Sequence, residues 1–262
     1  MWRKPPFQSC VIKPRIGLAG AMLALLALFP AQAQADEATI AVASNFRPVM
    51  AELETVFESQ TGHDLTVSVG STGKLYTQII HGAPYDIFLA ADEARPKRLE
   101  AESQIVPGTR FTYAIGQLTL WRPEGGEISP EALAAPDLRH VAIANPELAP
   151  YGAAATEVIA GLGLTGQLEG KLVRGENIGQ AFAFVKTGNA ELGFVALSQV
   201  LSLEDGERGA RWDPPQTLYT PIRQDAVLLK RSADNEAAQA FIAFLRGDDA
   251  KAIISGYGYD TP

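Results

Sequence analysis

The chain has 262 residues, of which 47% are hydrophobic and 20% are charged, and its formal net charge is −8. This composition excludes disordered, collagen-like and coiled-coil proteins. A surface that follows a phosphate backbone needs an excess of lysine and arginine, so the acidic balance argues against nucleic acid as a partner. We therefore expect a globular protein that binds small molecules or other proteins.

The N-terminal residues have the features of a secretory signal peptide, which we assign to 1–35. Four basic residues precede an apolar run over 18–29, and the small-residue pattern Ala33-Gln34-Ala35 follows the run. Such a run is shorter than the roughly 20 residues that span a bilayer, and the small-residue pattern is typical of a cleavage site. We expect cleavage after about Ala35 and a protein that diffuses freely in the periplasm.

Cysteine usage limits the chemistry of the exported chain. The one cysteine, Cys10, precedes the apolar run, whereas a lipid-anchored cysteine would follow it directly. After cleavage the chain would have no disulfide, no thiol nucleophile and no cysteine ligand for a metal. Its stability would then come from its hydrophobic core.

Strand and helix patterns alternate along the rest of the chain. In the first part, short apolar runs alternate with apolar residues at helical spacing. The predicted strands cover 39–44, 65–69 and 87–91, and the predicted helices cover 46–61, 74–80 and 93–101. A β-rich stretch over 111–121 follows. This order is typical of a parallel sheet with helices on its faces.

A second series of the same kind predicts a second sheet. Its strands cover 141–144, 171–173 and 192–196, and its helices cover 152–160 and 178–185. We then expect an exposed loop over 203–215, a strand over 217–230 and a last helix over 235–246. The β-rich crossings near Gly116 and Pro221 predict two α/β lobes, lobe 1 over 36–116 with 223–262 and lobe 2 over 117–222.

Polar residues and glycine stand at four predicted strand-to-helix junctions, which are Ser44-Asn45, 70–73, 150–152 and 176–178. A helix N-terminus presents unpaired N–H groups and the positive end of the helix dipole. In open α/β sheets such junctions lie where ligands bind. At a single junction plain helix capping is the simpler interpretation. Four junctions, two in each predicted lobe, favour a cleft for a small oxyanion.

The segment 70–74 does not predict nucleotide binding. A phosphate-binding P-loop would need glycine and a hydroxyl residue at the positions that Ser68 and Leu75 occupy. We interpret Lys74, one turn into its helix, as a solvated surface residue.

The residues suggest no catalytic centre. His63, His81 and His140 are isolated and lack zinc-binding spacing, and the Gly-x-Ser-x-Gly motif of hydrolases is absent. Asp86 and Asp92 bracket a predicted strand and could form an acid/base pair, but Asp92 is more simply a helix cap. An enzyme remains a weak alternative.

Several segments together resemble the periplasmic molybdate-binding proteins of ABC importers, over essentially the whole chain after the signal peptide. The segments that carry the resemblance are 41–46 (AVASNF), 70–76 (GSTGKLY), 82–92 (GAPYDIFLAAD), Asn145-Pro146, 150–152 (PYG), Asn177-Ile178 and 257–259 (YGY). The resemblance implies a two-lobed periplasmic-binding-protein fold of type II, each lobe a mostly parallel sheet flanked by helices, with two crossover hinge strands. It also implies capture of molybdate or tungstate and delivery to a permease at the inner membrane, with no cofactor and no catalysis.

Carried over position by position, the resemblance implies an oxyanion site built from Ser44, Asn45, Ser71, Thr72, Tyr151 and Ile178. Molybdenum would be bound only as the oxyanion. In some family members a tyrosine follows the strand that corresponds to 192–195, but Ala196 stands there in this chain. Tyr151 occupies a position where those members have a small residue, and its hydroxyl is a candidate replacement.

Two alternatives stay open at this point. The same fold and site could bind another oxyanion such as sulfate, because the size of the cavity is not readable from the sequence. An exported enzyme on the same scaffold is a weaker alternative, and an adhesion or chaperone module would leave the four junctions unexplained. We expect a monomer, since delivery to a permease needs no second copy.

Overall fold

The computed structural model describes residues 1–4, 6 and 36–262, and most of the predicted signal peptide lies outside the described residues. Two five-stranded sheets organise residues 36–262. Among the described residues, no helix has both the length and the hydropathy that a membrane span requires.

The strands alternate with helices as the sequence predicts. The strands are β1 (Glu37–Ala43), β2 (Asp64–Gly70), β3 (Ile87–Leu89), β4 (Phe111–Gly116), β5 (Leu118–Arg122), β6 (Val141–Ala144), β7 (Leu172–Gly175), β8 (Leu192–Ala196), β9 (Ala210–Trp212) and β10 (Ile222–Leu228). The helices are α1 (Arg47–Thr61), α2 (Thr72–Ile80), α3 (Ala94–Ala101), α4 (Pro150–Gly161), α5 (Thr165–Leu168), α6 (Ile178–Lys186), α7 (Leu197–Leu201), α8 (Glu236–Leu245) and α9 (Asp248–Gly256). A short 3₁₀ turn over Ser44–Phe46 joins β1 to α1.

The two sheets have the same plan and define two lobes. The strand orders are β2-β1-β3-β10-β4 and β7-β6-β8-β5-β9. In each sheet one strand, β10 or β5, runs against its neighbours, and the remaining strands run in a common direction. The chain crosses from one sheet to the other through Gln117, between β4 and β5, and returns through 219–221 into β10. The first crossing follows Gly116 and the second includes Pro221.

Helix α1 shows why these residues form a helix and which face they bury. Val49, Met50, Leu53 and Phe57 follow helical spacing and are buried against the first sheet. The helix ends at Gly62, whose φ of 75° permits the left-handed cap and whose N–H donates to the Glu58 carbonyl at 2.9 Å. The apolar face thereby anchors the Ser44–Phe46 turn at the carboxyl end of β1.

Two elements of the fold differ from the prediction. The expected loop over 203–215 contains β9, which pairs with β5 along the edge of the second sheet. The residues around β9 in the sequence are polar and rich in turn formers. The hydropathy pattern therefore does not predict that this segment pairs as a strand. The last helix is α9 rather than the one predicted over 235–246, and α9 buries Ala250 and Ile254 on one face.

Asp86 and Asp92 have separate structural roles. The Asp86 carboxylate accepts hydrogen bonds from the Thr39 N–H at 2.7 Å and the Ser232 hydroxyl at 2.6 Å. The Asp92 carboxylate accepts the Arg95 N–H at 2.9 Å in the first turn of α3 and also pairs with the Arg95 guanidinium. Asp92 thus stands one residue before the N-cap Glu93 and holds the first turn of α3 through the Arg95 N–H.

Candidate functional site

The strand register brings the four junctions together in pairs. In the first sheet Ala43 lies opposite Gly70 on a parallel neighbour, so the Ser44 and Ser71 junctions leave the sheet side by side. In the second sheet Ala144 lies opposite Gly175 in the same way. Each lobe therefore presents two helix starts at the carboxyl edge of its sheet.

The two pairs of junctions meet across the cleft between the lobes. The Gly179 N–H of α6 donates to the Ser44 Oγ at 3.3 Å. The Gly73 N–H of α2 donates to the Leu148 carbonyl, just before α4, at 2.9 Å. The junctions of the two lobes thus contact each other in pairs.

Lys74 also contributes to this contact between the lobes. Its Nζ lies 2.5 Å from the Glu176 Oε2 at the junction before α6, and both side chains are about half exposed. The interpretation of Lys74 as a surface residue is confirmed, and its ammonium pairs there with Glu176 of the other lobe. The pair neutralises the one carboxylate that stands at the four junctions.

The first turn of α2 leaves one N–H without a partner. The Gly73 N–H binds the Leu148 carbonyl, and the Lys74 N–H donates to the Ser71 Oγ at 3.4 Å. The Thr72 N–H, at the first helical position, has no intrahelical acceptor, and the described residues provide none. It is therefore available to a ligand.

The starts of α6 and α4 repeat this arrangement. In α6 the Gly179 N–H donates to the Ser44 Oγ, and the Gln180 N–H donates to the Asn177 Oδ1 at 3.0 Å. The Ile178 N–H is left without an acceptor. In α4 Pro150 has no N–H and the Gly152 N–H donates to the Ala149 carbonyl at 2.9 Å. The Tyr151 N–H is then the remaining donor of this turn. Among the described residues, neither the Tyr151 N–H nor the Ile178 N–H has an acceptor.

Three hydroxyl groups at the junctions have a proton to donate. The Ser44 oxygen accepts the Gly179 N–H, and the Ser71 oxygen accepts the Lys74 N–H. The Thr72 oxygen accepts the Ala91 N–H at 3.2 Å. A hydroxyl that accepts in this way keeps its own O–H for another partner. These three side chains are between 1% and 7% exposed, so water can contribute little to their hydrogen bonding.

The six predicted residues form a set of neutral hydrogen-bond donors. Ser44, Asn45, Ser71, Thr72, Tyr151 and Ile178 are all buried at the four junctions. Donors without a free acceptor suit a fully ionised tetrahedral oxyanion, whose oxygens only accept. Over 36–262 no cluster of histidine, cysteine, aspartate and glutamate could hold a metal cation.

An open cavity of about 500 Å³ reaches the site from one side. It touches Ser44 and the start of α6, and Arg47, Gln180 and Gln199 line its outer part. Of the six predicted residues it touches Ser44 alone, and the other five are buried. The cavity is a route from solvent to the edge of the junctions.

The side chains of Asn45 and Tyr151 enter a buried network that the sequence analysis missed. The Asn45 amide donates to the Gln224 Oε1 at 2.8 Å and to the Tyr259 hydroxyl at 3.0 Å. The Gln224 Nε2 donates to the Tyr151 hydroxyl at 3.3 Å. Tyr259 belongs to a motif that carried the resemblance. Gln224 stands between Arg223 and Asp225 in β10, so its polar character gave no signal that it is buried.

Burial raises the pKa of three tyrosines in this network, Tyr113, Tyr151 and Tyr259, above the ordinary value of 10.0. The unfolded chain releases these protons near its ordinary pKa, whereas the folded protein holds them to a higher pH. This difference stabilises the folded protein fully at pH values below the pKa of the tyrosines in the unfolded chain. The stabilisation is lost as the pH rises through their higher pKa in the folded protein. We expect the unfolding midpoint temperature to fall between about pH 10 and about pH 11, but not between about pH 7 and about pH 9. Thermal unfolding across this range tests the expectation, which a midpoint that stays constant up to about pH 11 would contradict.

Comparison with known proteins places this chain in a family. The sequence model of the family described as bacterial extracellular solute-binding protein matches residues 38–260. The chain belongs to this family. Among its relatives, the molybdate-binding protein of Azotobacter vinelandii is 50% identical over 236 residues, which are 88% of this chain and 93% of that protein. The molybdate-binding protein of Rhodobacter capsulatus is 48% identical over 250 residues, 95% of this chain and 98% of that protein.

A solved structure supports the same family assignment. The periplasmic molybdate-binding protein of Azotobacter vinelandii aligns with a TM-score of 0.82 and 40% identity, over 86% of this chain and 99% of that one. The resemblance that the sequence motifs predict is confirmed, and so is the two-lobed fold. These family members are named as binding proteins.

Proposed function

We propose that this protein is a periplasmic substrate-binding protein that captures molybdate, and tungstate as an anion of the same shape and charge, between its two lobes. It delivers the anion to the permease of an ABC transporter at the inner membrane. The observation that carries the proposal is the one leftover N–H at the start of each of α2, α4 and α6, next to three hydroxyls with protons to donate. The names of the relatives in Azotobacter vinelandii and Rhodobacter capsulatus support molybdate as the anion.

The proposed ligand set consists of the hydroxyl and N–H groups of Ser44 and Thr72, the Ser71 hydroxyl, the N–H groups of Asn45 and Ile178, and a donor from Tyr151. A protonated phosphate would need an acceptor in the site, and Glu176, the carboxylate that stands at these junctions, is paired with Lys74. The site therefore favours a dianion that carries no proton. Binding requires no cofactor and no bond is made or broken, so the protein acts without catalysis.

The proposal extends to export and organisation. The signal peptide over 1–35 directs the chain to the periplasm and is cleaved after about Ala35. Lobe 1 covers 36–116 with 223–262 and lobe 2 covers 117–222, and the membership of the strands in the two sheets supports this division. The protein acts as a monomer that presents one closed cleft to its permease.

Thermal unfolding with different oxyanions tests the proposal. The purified protein, freed of bound anion, is heated in chloride buffer with molybdate, tungstate, sulfate or phosphate. A ligand at about 1,000 times its dissociation constant adds about 4 kcal/mol to the free energy of unfolding. We expect a large upward shift of the midpoint with molybdate and tungstate only.

The other outcomes of this experiment would change the proposal in different ways. A shift with sulfate or phosphate in place of molybdate would keep the site and replace the substrate. If no oxyanion shifts the midpoint, the protein is not an oxyanion-binding protein. Turnover of a candidate substrate would then return attention to an enzyme on this scaffold.

A further inference from the structure

The open cavity beside Ser44 has a positively charged side chain in its wall. Its charged lining residues are Arg47 and Glu176. The Glu176 carboxylate is paired with the Lys74 ammonium at 2.5 Å, so these two charges cancel each other. The Arg47 guanidinium, by contrast, has no carboxylate within ion-pair distance in the described part of the chain. Arg47 therefore gives the wall of the cavity a net positive charge.

This local charge is opposite in sign to the charge of the whole protein. The formal net charge of the chain is −8, and four basic residues lie in the predicted signal peptide, so the exported chain is more acidic still. Most of such a surface repels a dianion that approaches it. A cleft with a positive wall concentrates anions locally, because it focuses the electric field there.

The stability of helix α1 does not explain a cation at this position. Arg47 is exposed and is the first residue of α1. Neither the 3₁₀ turn that precedes it nor the first turn of α1 contains an acidic residue. The N-terminus of a helix is the positive end of its dipole, so a cation there destabilises the helix. Helix electrostatics thus disfavour the one charged side chain that stands next to Ser44 in the cavity wall.

We propose that Arg47 attracts the oxyanion into this cavity and so accelerates its association with the site. The inference rests on the proposed function, since it concerns entry to the same site. Arg47 acts on entry and not as a ligand, because its side chain is exposed whereas the six predicted ligand residues are buried. A charge at the rim of a site changes the association rate and its salt dependence more than the dissociation rate.

Removal and reversal of the charge test the proposal. In water at low ionic strength, one unit of charge at a distance of about 10 Å changes the local concentration of a dianion roughly threefold. At about 20 mM salt we expect molybdate to associate about 3-fold more slowly with Arg47→Gln and about 10-fold more slowly with Arg47→Glu. At about 500 mM salt both variants should associate at nearly the wild-type rate, because salt screens the charge. The dissociation rate should change by less than about 2-fold.

Two measurements on the exported, anion-free protein give these rates. The dissociation rate is followed by chasing bound radiolabelled molybdate with unlabelled molybdate, and its ratio to the calorimetric dissociation constant is the association rate. Arg231→Gln is the matched control, because it removes the same charge from an exposed residue of lobe 1 that does not line the cavity. Its association rate should stay within about 1.3-fold of the wild type, whereas Arg47→Lys should restore the rate by keeping the charge.

Unfolding without ligand separates this role from a structural one. Arg47→Glu replaces a cation by an anion at the start of α1, so we expect the unfolding midpoint temperature to rise by about 1 to 2 °C. Stability and association rate would then change in opposite directions. A structural role for Arg47 would lower both together.

The outcomes distinguish two failures. The wild-type association rate in Arg47→Glu at low salt, an equal slowing in Arg231→Gln, or a slowing that persists at high salt would overturn the role of Arg47 in entry. A midpoint that falls together with the association rate would assign Arg47 a structural role instead. If the wild-type protein does not bind molybdate by calorimetry, the proposed function itself fails.

Discussion

Gly152→Ala is expected to lower the free energy of unfolding by about 3 kcal/mol and to weaken molybdate binding by about 30-fold. The added Cβ would lie 2.2 Å from the carbonyl oxygen and 2.7 Å from the carbonyl carbon of Ala144, at the end of β6. These are backbone atoms of a buried strand and cannot turn aside. The start of α4 has to move, and the Tyr151 N–H moves with it.

Urea unfolding without ligand and calorimetric titration with molybdate measure the two effects of Gly152→Ala. Gly166→Ala is the matched control, because it is also a helical glycine of lobe 2 and a Cβ there meets nothing within 4 Å. The control should keep wild-type stability and affinity. If Gly152→Ala behaves like its control, the close packing of α4 against β6 does not set the position of the Tyr151 donors.

Thr72→Val is expected to weaken molybdate binding by about 1 to 3 kcal/mol, or roughly 5- to 150-fold. The shape of the side chain is kept, but an oxygen of the anion loses its hydroxyl donor in a site that is 1% exposed at this residue. The Ala91 N–H, which donates to the Thr72 oxygen at 3.2 Å, also loses its acceptor. Some loss of stability without ligand therefore accompanies the loss of affinity.

The conservative variant Thr72→Ser separates these contributions, because it restores the hydroxyl with a smaller side chain. Its affinity should lie within about 3-fold of the wild type. Affinity and ligand-free stability are measured for both variants by titration calorimetry and urea unfolding. Wild-type affinity in Thr72→Val would remove the Thr72 hydroxyl from the ligand set.

The local sequence was sufficient to place the strand-to-helix junctions. The predicted helix starts near Ser44, Thr72, Tyr151 and Ile178 agree with the observed elements to within a few residues. This succeeds because apolar periodicity, helix-capping residues and glycine act over a few neighbouring positions. The same local signals failed at β9, whose partner β5 lies far away in the chain, and at α9, which follows α8 after a break of two residues.

The network around Gln224 had no local signature. Asn45 and Gln224 are separated by 179 residues, and Asn45 and Tyr259 by 214 residues. A glutamine within a predicted strand is equally compatible with an exposed edge, so its burial depends on the packing of three tyrosines from distant elements. The contact of Lys74 with Glu176 is of the same kind, because it joins residues of two lobes that are far apart in the chain.

The sequence by itself determined the alternation of strands and helices, the donor residues at the helix starts and the family to which they belong, since each depends on residues close together in the chain. The tertiary structure decided which of those donors remain unpaired. In the first turns of α2, α4 and α6, partners from another lobe or from the cap take up the neighbouring N–H groups and leave one each, at Thr72, Tyr151 and Ile178. Which N–H groups stay unpaired depends on how the two sheets pack against one another, and this packing involves residues from the whole described chain.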